Sequence, residues 1–404
     1  MSKCFDYILK FSRDGYPKLD NSQYENAVAT FGKEELIDAI GNIIMQRRDK
    51  KLPFPDKDVA EVEKRFKQLL QKQEDFISEP HEHWTKHEYD FDLKKYFGTI
   101  QLGHAYNDVS NHFHREERYK AGGYNRLSPI EAWNGVGLTD EQWKKALNGF
   151  LSPLFRSVNN FRKIEDEEYM FCFRLSSPVY TAAQFKPNVA KLIYEKFSKN
   201  GNVIDFSCGW GDRLAGFYAA SNTKNYLGTD PNAALHENYK RQIEFYCPMA
   251  NGKRAEVHVS PAESYNWKNH NKIYDLIFTS PPYFSTETYA KGSECQKDQS
   301  WYNYKTIDSW LNNFLFKTLT NCDNILMKNG LVVLNIFDIE MKKNQRLEVC
   351  KPLVNFMQQE LKYEYLGHLG MRIKQRPKKF KSEEHKAKFM ASYYIDPMWI
   401  FKKN

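Results

Sequence analysis

No apolar run in this 404-residue chain approaches the ~18 residues that a membrane-crossing helix needs. The start, Met1-Ser2-Lys3-Cys4-Phe5-Asp6, lacks the charged-then-apolar order of a secretory leader. Cysteine is sparse: seven residues, an odd number, scattered and without a Cys-x-x-Cys pair. That argues against a disulfide framework and for a reducing compartment, so a cytoplasmic protein with no membrane partner is expected. His81, His83 and His87 cluster, as do His112 and His114, but none has a cysteine partner or a His-Glu-x-x-His frame. No metal is expected. Pro55-Asp56 followed by Glu63-Lys64 fails the acid-x-Lys spacing of a common nuclease site, so a fused nuclease is not supported. There is no internal repeat. Neither charge sign dominates: 59 Lys and Arg against 51 Asp and Glu leave +8, a modest excess that fits a polyanionic partner.

Strand-like and helix-like stretches alternate through the second half. Val203-Ile204-Asp205 is a short apolar strand, followed by the Gly209-Trp210-Gly211 turn and a helical run. Asn225-Tyr226-Leu227-Gly228-Thr229-Asp230 is a second strand that ends on an acid before Pro231. Val257-His258-Val259 is a third, with Ser260 and Glu263 in its exit loop. A fourth begins near Asp275. A helix is expected over 307–327 and a strand over 330–337. This alternation predicts an α/β chain with a doubly wound, mostly parallel sheet. The first 165 residues read as a mainly helical N-terminal domain. Helices are expected over 33–45 and 61–76. Two more open at Ser128-Pro129-Ile130-Glu131, a capping box with proline in the first turn, and at Thr139. The acidic run Glu165-Asp166-Glu167-Glu168 marks the expected boundary, giving domains 1–165 and 166–404.

The fourth strand runs into Thr279-Ser280-Pro281-Pro282-Tyr283-Phe284. An exocyclic nucleobase amine is a poor nucleophile, because its lone pair is delocalised into the ring. Methylating it requires acceptors that hold the NH2 group and expose the lone pair. The Ser280 hydroxyl and the Pro281 carbonyl can be those acceptors. Pro281 and Pro282 offer no N–H and restrict the chain, so their carbonyls point outward. Tyr283 offers an aromatic face to a base lifted from its stack.

Ser-Pro-Pro-Tyr resembles motif IV of the amino-methylating DNA methyltransferases, which use S-adenosylmethionine. Asp205, Ser207, Gly209 and Gly211 resemble motif I of class I methyltransferases. Asp230 resembles the motif II acid, which binds ribose hydroxyls, and it also suits a helix N-cap. Glu263 or Ser260 stands where motif III meets the cofactor adenine. Lys186 and Asn188, in Phe185-Lys186-Pro187-Asn188, resemble motif X beside the methionine portion. The order X, I, II, III, IV is gamma-like and covers roughly residues 170–404. The resemblance implies a Rossmann-like class I methyltransferase domain with S-adenosyl-L-methionine as cofactor and double-stranded DNA as partner. A cognate restriction nuclease is a further partner it implies.

In that family Ser-Pro-Pro-Tyr accompanies cytosine N4 methylation, and Asp- or Asn-Pro-Pro-Tyr accompanies adenine N6. Ser280 therefore implies N4-cytosine, with N6-adenine the alternative; both serine and a carboxamide accept from an NH2 group. Cytosine C5 chemistry needs a cysteine beside the turn, and 279–286 contains none. RNA and protein-amide methylation, or a catalytically silent DNA-binding subunit, are further readings. Arg372, Lys374, Arg376, Lys378 and Lys379 fall in a basic insertion around 371–390. That cluster suits phosphate contact or a solvated loop whose lysines guard a sheet edge. Aromatic and basic residues interleave over 83–124, which suits either DNA contact or a small core. The loop over 285–304, with Trp301 and Tyr302, suits closure over the base or plain disorder.

Overall fold

A computed structural model describes residues 2–47, 52–54, 58–72, 77–78, 98–100, 106–123, 126–175, 179–250, 252–270, 273–340, 346–373, 382–384, 386–387 and 394–404. The chain forms two compact units: residues 1–58, 116–183 and 287–291, and residues 59–115, 184–286 and 292–404.

The first unit is mainly helical. Local sequence signals set its helix starts. Ser128 caps Pro129–Asn134, and Glu131 returns the bond to the Ser128 amide at 2.6 Å. Thr139 and Gln142 do the same for Asp140–Leu151. The helix expected over 33–45 is Lys33–Gln46. The acidic run lies at the start of Asp166–Leu175, where negative charge favours the positive helix end. The core centres on fully buried Trp133, ringed by Tyr16, Phe150, Tyr169 and Phe173 at centroid distances of 5.6, 5.8, 5.4 and 5.7 Å. Tyr119 is buried in the same cluster. Tyr106 and Phe113, from the same aromatic stretch over 83–124, belong to the second unit and are buried there, while 83–97 lies outside the described residues.

The second unit is built on a nine-stranded sheet. In chain order its strands are β1 (Ile77–Ser78), β2 (Gly98–Ile100), β3 (Asn202–Asp205), β4 (Asn225–Asp230), β5 (Arg254–Val259), β6 (Tyr274–Thr279), β7 (Leu326–Asn335), β8 (Glu364–Ile373) and β9 (Tyr394–Lys402). Across the sheet they run β1-β2-β8-β9-β7-β6-β3-β4-β5. The five strands β5, β4, β3, β6 and β7 are mutually parallel. Strand β9 is antiparallel to both β7 and β8. The expected doubly wound, mostly parallel α/β sheet is thus present. Helices Asp212–Ala219 and His236–Tyr246 connect β3 to β4 and β4 to β5. Every residue of β6 is buried, as its continuous apolar run predicts.

Several boundaries differ from expectation. The helix expected over 307–327 ends at Asp323, after a π-helical turn at Leu311–Phe316. The strand expected from 330 begins at Leu326. A register shift between Leu326 and Leu331, with Asn329 at φ +60°, hides the start of β7 from a pattern reading. The helix expected over 61–76 is Val59–Gln71.

The chain winds outward from β3 through β4 and β5, then returns to β6 on the other side of β3. The carboxyl ends of β3 and β6 are therefore the topological switch point, where open α/β sheets bind ligands. At the opposite end of β6, the Asp275 carboxylate accepts from Ser198 Oγ, Lys199 N, Asn200 N and Asn202 N at 2.9, 2.6, 3.1 and 2.7 Å. That clamp fixes the turn leading into β3. No helix among the described residues is long and apolar enough to cross a membrane.

Candidate active site

Strand β3 ends on Asp205, which is wholly buried. Its Oδ2 accepts from Arg213 Nε at 2.8 Å and from the Tyr226 hydroxyl at 2.7 Å. Its Oδ1 accepts from Arg213 Nη2 at 3.2 Å, Thr279 Oγ1 at 2.7 Å and Ser207 N at 3.3 Å. The carboxylate is saturated by this chain's own donors. It ties the turn after β3 to the last residue of β6, directly before Ser280. Arg213 also donates to the Ser207 carbonyl.

The turn itself carries two left-handed glycines, Gly209 at φ +59° and Gly211 at φ +71°. They serve different needs. A Cβ on Gly209 would meet only Ser207 O, at 3.8 Å, so open space lies in front of it. A Cβ on Gly211 would overlap the Gln242 carboxamide and His114 Nε2. Gln242 donates from Nε2 to the Gly211 carbonyl at 2.8 Å, which turns its Oε1 toward His114 Nε2 at 2.9 Å. His114 therefore carries its proton on Nε2. Burial pushes its pKa down to about 4, so it is neutral near pH 7. Sequence reasoning weighed His114 only as a metal ligand and passed over Gln242. A polar pair 128 positions apart leaves no local signal. Asp212, the first residue of the following helix, is held by Ser110, by Asn107 at 3.3 Å and by Gln184 at 3.3 Å.

Strand β4 ends on Asp230. Its Oδ2 accepts from Gly209 N at 2.9 Å and from the Tyr239 hydroxyl at 3.5 Å, and its Oδ1 from Asn232 N at 2.9 Å. A carboxylate has about four acceptor sites, so Asp230 keeps a lone pair available, unlike Asp205. Burial raises its pKa to about 6 despite the two amides. Ser260 N donates to the Asp230 carbonyl at 3.3 Å, which seats the loop after β5 beside it.

Strand β6 delivers Ser280, Pro281, Pro282 and Tyr283. Phe284, buried at the end of this turn, has φ +49°. Its amide bonds Pro282 O at 3.0 Å, and Thr286 N bonds Tyr283 O at 3.0 Å. Ser280 Oγ donates to Asn335 Oδ1 at 3.2 Å. The Tyr283 hydroxyl donates to Asn335 O at 3.2 Å and Oδ1 at 3.3 Å. The Tyr283 and Phe337 rings pack in a T-shaped pair with centroids 4.6 Å apart. Asn335 was missed from sequence, although a carboxamide inside the apolar run Leu331-Val332-Val333-Leu334-Asn335-Ile336-Phe337 was a visible anomaly.

Direct bonds thus form two sets, Asp205 with Ser207 and Thr279, and Gly209 with Asp230. Lys186, Asn188 and Glu263 belong to neither set. Lys186 is the N-cap residue of Pro187–Phe197 and caps it with no side-chain bond. Asn188 is 2% exposed, and neither polar atom of its carboxamide meets a partner. Glu263 is buried and accepts from the Tyr304 hydroxyl at 2.9 Å; burial raises its pKa. Cys208 is buried and its thiol is pushed well up, which suits a packed residue and not a nucleophile. Lys374, Arg376, Lys378 and Lys379, and the side chain of Arg372, lie outside the described residues.

Residues 274–404 match the family model of N6/N4 methyltransferases, described as DNA methylase. No curated protein matches the chain. Among solved structures, the chain is similar to a methyltransferase from Pyrococcus furiosus, at 16% identity over 54% of this chain and 83% of that one, with a TM-score of 0.31. It is similar to a methyltransferase homolog from Pyrococcus horikoshii at 12% identity, over 57% and 70%, with a TM-score of 0.33. TrmN from Thermus thermophilus is similar at 11% identity, over 55% and 49%, with a TM-score of 0.34. Methyltransferases of the matched family take the methyl group from S-adenosylmethionine.

Proposed function

We propose that this protein is a DNA methyltransferase that moves a methyl group from S-adenosylmethionine to the N4 amine of cytosine. One observation carries the reading. The Thr279–Asp205 bond fastens the Ser-Pro-Pro-Tyr turn to the glycine turn at the switch point of the sheet. The family match over 274–404 supports it.

The residues present fit the cofactor. Gly209 leaves its front open, Asp230 keeps acceptor capacity, and Asn188 holds an orphaned buried carboxamide. Asp230 would hold the ribose, Gly209 would admit the amino-acid portion, and Asn188 with Lys186 would meet the methionine end. Glu263, with Ser260, would border the adenine. The cofactor supplies an electrophilic methyl group. Asp205 and Gly211 position these parts and touch no ligand directly. Ser280 and the Pro281 carbonyl accept from the amine and turn its lone pair toward the methyl group. Tyr283 supports the ring of the extruded base. Catalysis is then mostly alignment for in-line displacement. No side chain has to act as a covalent nucleophile.

The basic residues Arg372, Lys374, Arg376, Lys378 and Lys379 would neutralise phosphates, and the helical N-terminal 165 residues would read the target. Serine in the motif favours cytosine; adenine N6 is the outcome that would revise the base and keep the mechanism. The test pairs two measurements on purified protein. Calorimetry should show S-adenosylmethionine binding in both wild type and Ser280→Ala. Transfer of labelled methyl to duplex DNA should occur in wild type and fall by at least about 100-fold in Ser280→Ala. Binding without transfer in wild type would refute a DNA substrate.

A further inference from the structure

Ser280 can grip an amine only if its oxygen, and not its proton, faces the base. A serine hydroxyl has one proton and two lone pairs, and its rotor is normally free to present either. Here the surroundings decide. Asn335 ends β7 and is 2% exposed. Its Nδ2 donates to the Pro397 carbonyl on β9 at 3.1 Å. A backbone carbonyl only accepts, so this bond fixes which end of the carboxamide is which. Oδ1 must then face β6. There it takes the Ser280 proton at 3.2 Å and lies 3.3 Å from the Tyr283 hydroxyl, which also donates to the Asn335 carbonyl.

Resting on the amine-methylating reading, we infer that Asn335 is a positioning residue that sets the polarity of the site. It consumes the Ser280 proton, so Ser280 meets the substrate as an acceptor alone. With the Pro281 carbonyl, the grip then consists of acceptors only. Such a grip binds an NH2 group and repels an oxo group at the same ring position. The same oxygen helps fix the phenol of Tyr283, so one carboxamide orders both functional side chains of the turn. The geometry also gives β9 a task. Met398, opposite Asn335 in the ladder, and Pro397, whose carbonyl accepts from the Asn335 carboxamide, brace the motif from the last strand of the chain.

The test uses full-length protein and the variants Asn335→Leu, which has similar volume and no polar atoms, and Asn335→Asp, which keeps an acceptor toward β6. In Asn335→Leu, kcat should fall about 100-fold through misplacement of the grip, with the cofactor Kd unchanged. In a Ser280→Ala/Tyr283→Phe background the same substitution should cost no more than about twofold, because its effect passes through those two hydroxyls. Asn335→Asp should retain most of the rate only while its buried carboxyl is protonated and donates to the Pro397 carbonyl in place of Nδ2, and should lose it as pH rises. A crystal structure of Asn335→Leu should show Ser280 and Tyr283 in new rotamers. An undiminished cost in the double-variant background, or unmoved Ser280 and Tyr283 side chains, would overturn the role of Asn335. Failure of the wild type to methylate DNA would instead overturn the DNA reading, and the crystal structure would still decide the role of Asn335.

Discussion

Two aspartates end neighbouring strands, and their partners give them opposite tasks. Asp205 is closed off by Arg213, Tyr226 and Thr279, while Asp230 takes two amides and a long bond from the Tyr239 hydroxyl and keeps room for one more donor. Both acids were legible in the sequence as residues following apolar runs. Their division of labour was not, because the partners of Asp205 lie 8, 21 and 74 positions away. Arg213→Met should leave a buried charge without its counter-ion and cost about 3–5 kcal/mol in urea unfolding. Asp230 predicts a pH dependence. Its pKa is raised from 3.8 to about 6, so the stability it contributes is fully present below pH 3.8 and is lost as pH rises through 6. Cofactor binding should run the other way, because ribose hydroxyls donate to the ionised form. Affinity measured by calorimetry should rise between pH 5 and pH 7, by up to about tenfold per unit below the pKa. Asp230→Asn should bind weakly and show no such dependence.

At the scale of elements, the glycine turn separates folding from binding. Gly209→Ala meets no obstruction, so its left-handed backbone should cost only about 1–2 kcal/mol of stability, while the open space in front of it is filled and cofactor affinity drops. Gly211→Ala collides with Gln242 and His114 as well, and should destabilise by more than that. Thermal melting and cofactor titration of the two variants would separate these effects. Three lysines close helix ends by donating to terminal carbonyls, as the helix dipole favours. Lys191 reaches Leu69 O at 2.9 Å and Leu70 O at 3.0 Å, Lys253 reaches Phe217 O at 3.1 Å and Tyr218 O at 2.9 Å, and Lys403 reaches Asp323 O at 2.5 Å. Lys253→Met should loosen the helix behind the glycine turn at a cost of about 1–2 kcal/mol, read by denaturant unfolding. Helix starts were legible because a capping box is written in four consecutive residues. Helix ends were not, because the lysines that close them come from elsewhere in the chain. The start of β7 was obscured for a related reason, a register shift around Asn329 and Gly330 that breaks the strand pattern.

At the scale of the molecule, strand alternation made the sheet legible, and the residues at its switch point fell where the motifs stood. Tertiary partners such as Asn335, Gln242 and His114 did not, since each acts across more than fifty positions of sequence. The net charge of +8 is small, so DNA affinity should depend on where the charge is gathered. Replacing Lys374, Arg376, Lys378 and Lys379 with serine should weaken binding to any duplex. The slope of log K against log salt should flatten by roughly 0.9 for each phosphate that is no longer neutralised. Cofactor binding should not change. The central claim, that the Ser280 grip presents a cytosine amine to the methyl donor, is tested most directly by identifying the product. Mixed-sequence duplex DNA is incubated with the protein and labelled S-adenosylmethionine, digested, and its nucleosides resolved by mass. The account predicts label in N4-methylcytosine, abolished by Ser280→Ala. Label in N6-methyladenine, or no label in DNA from a protein that binds the cofactor, would contradict it.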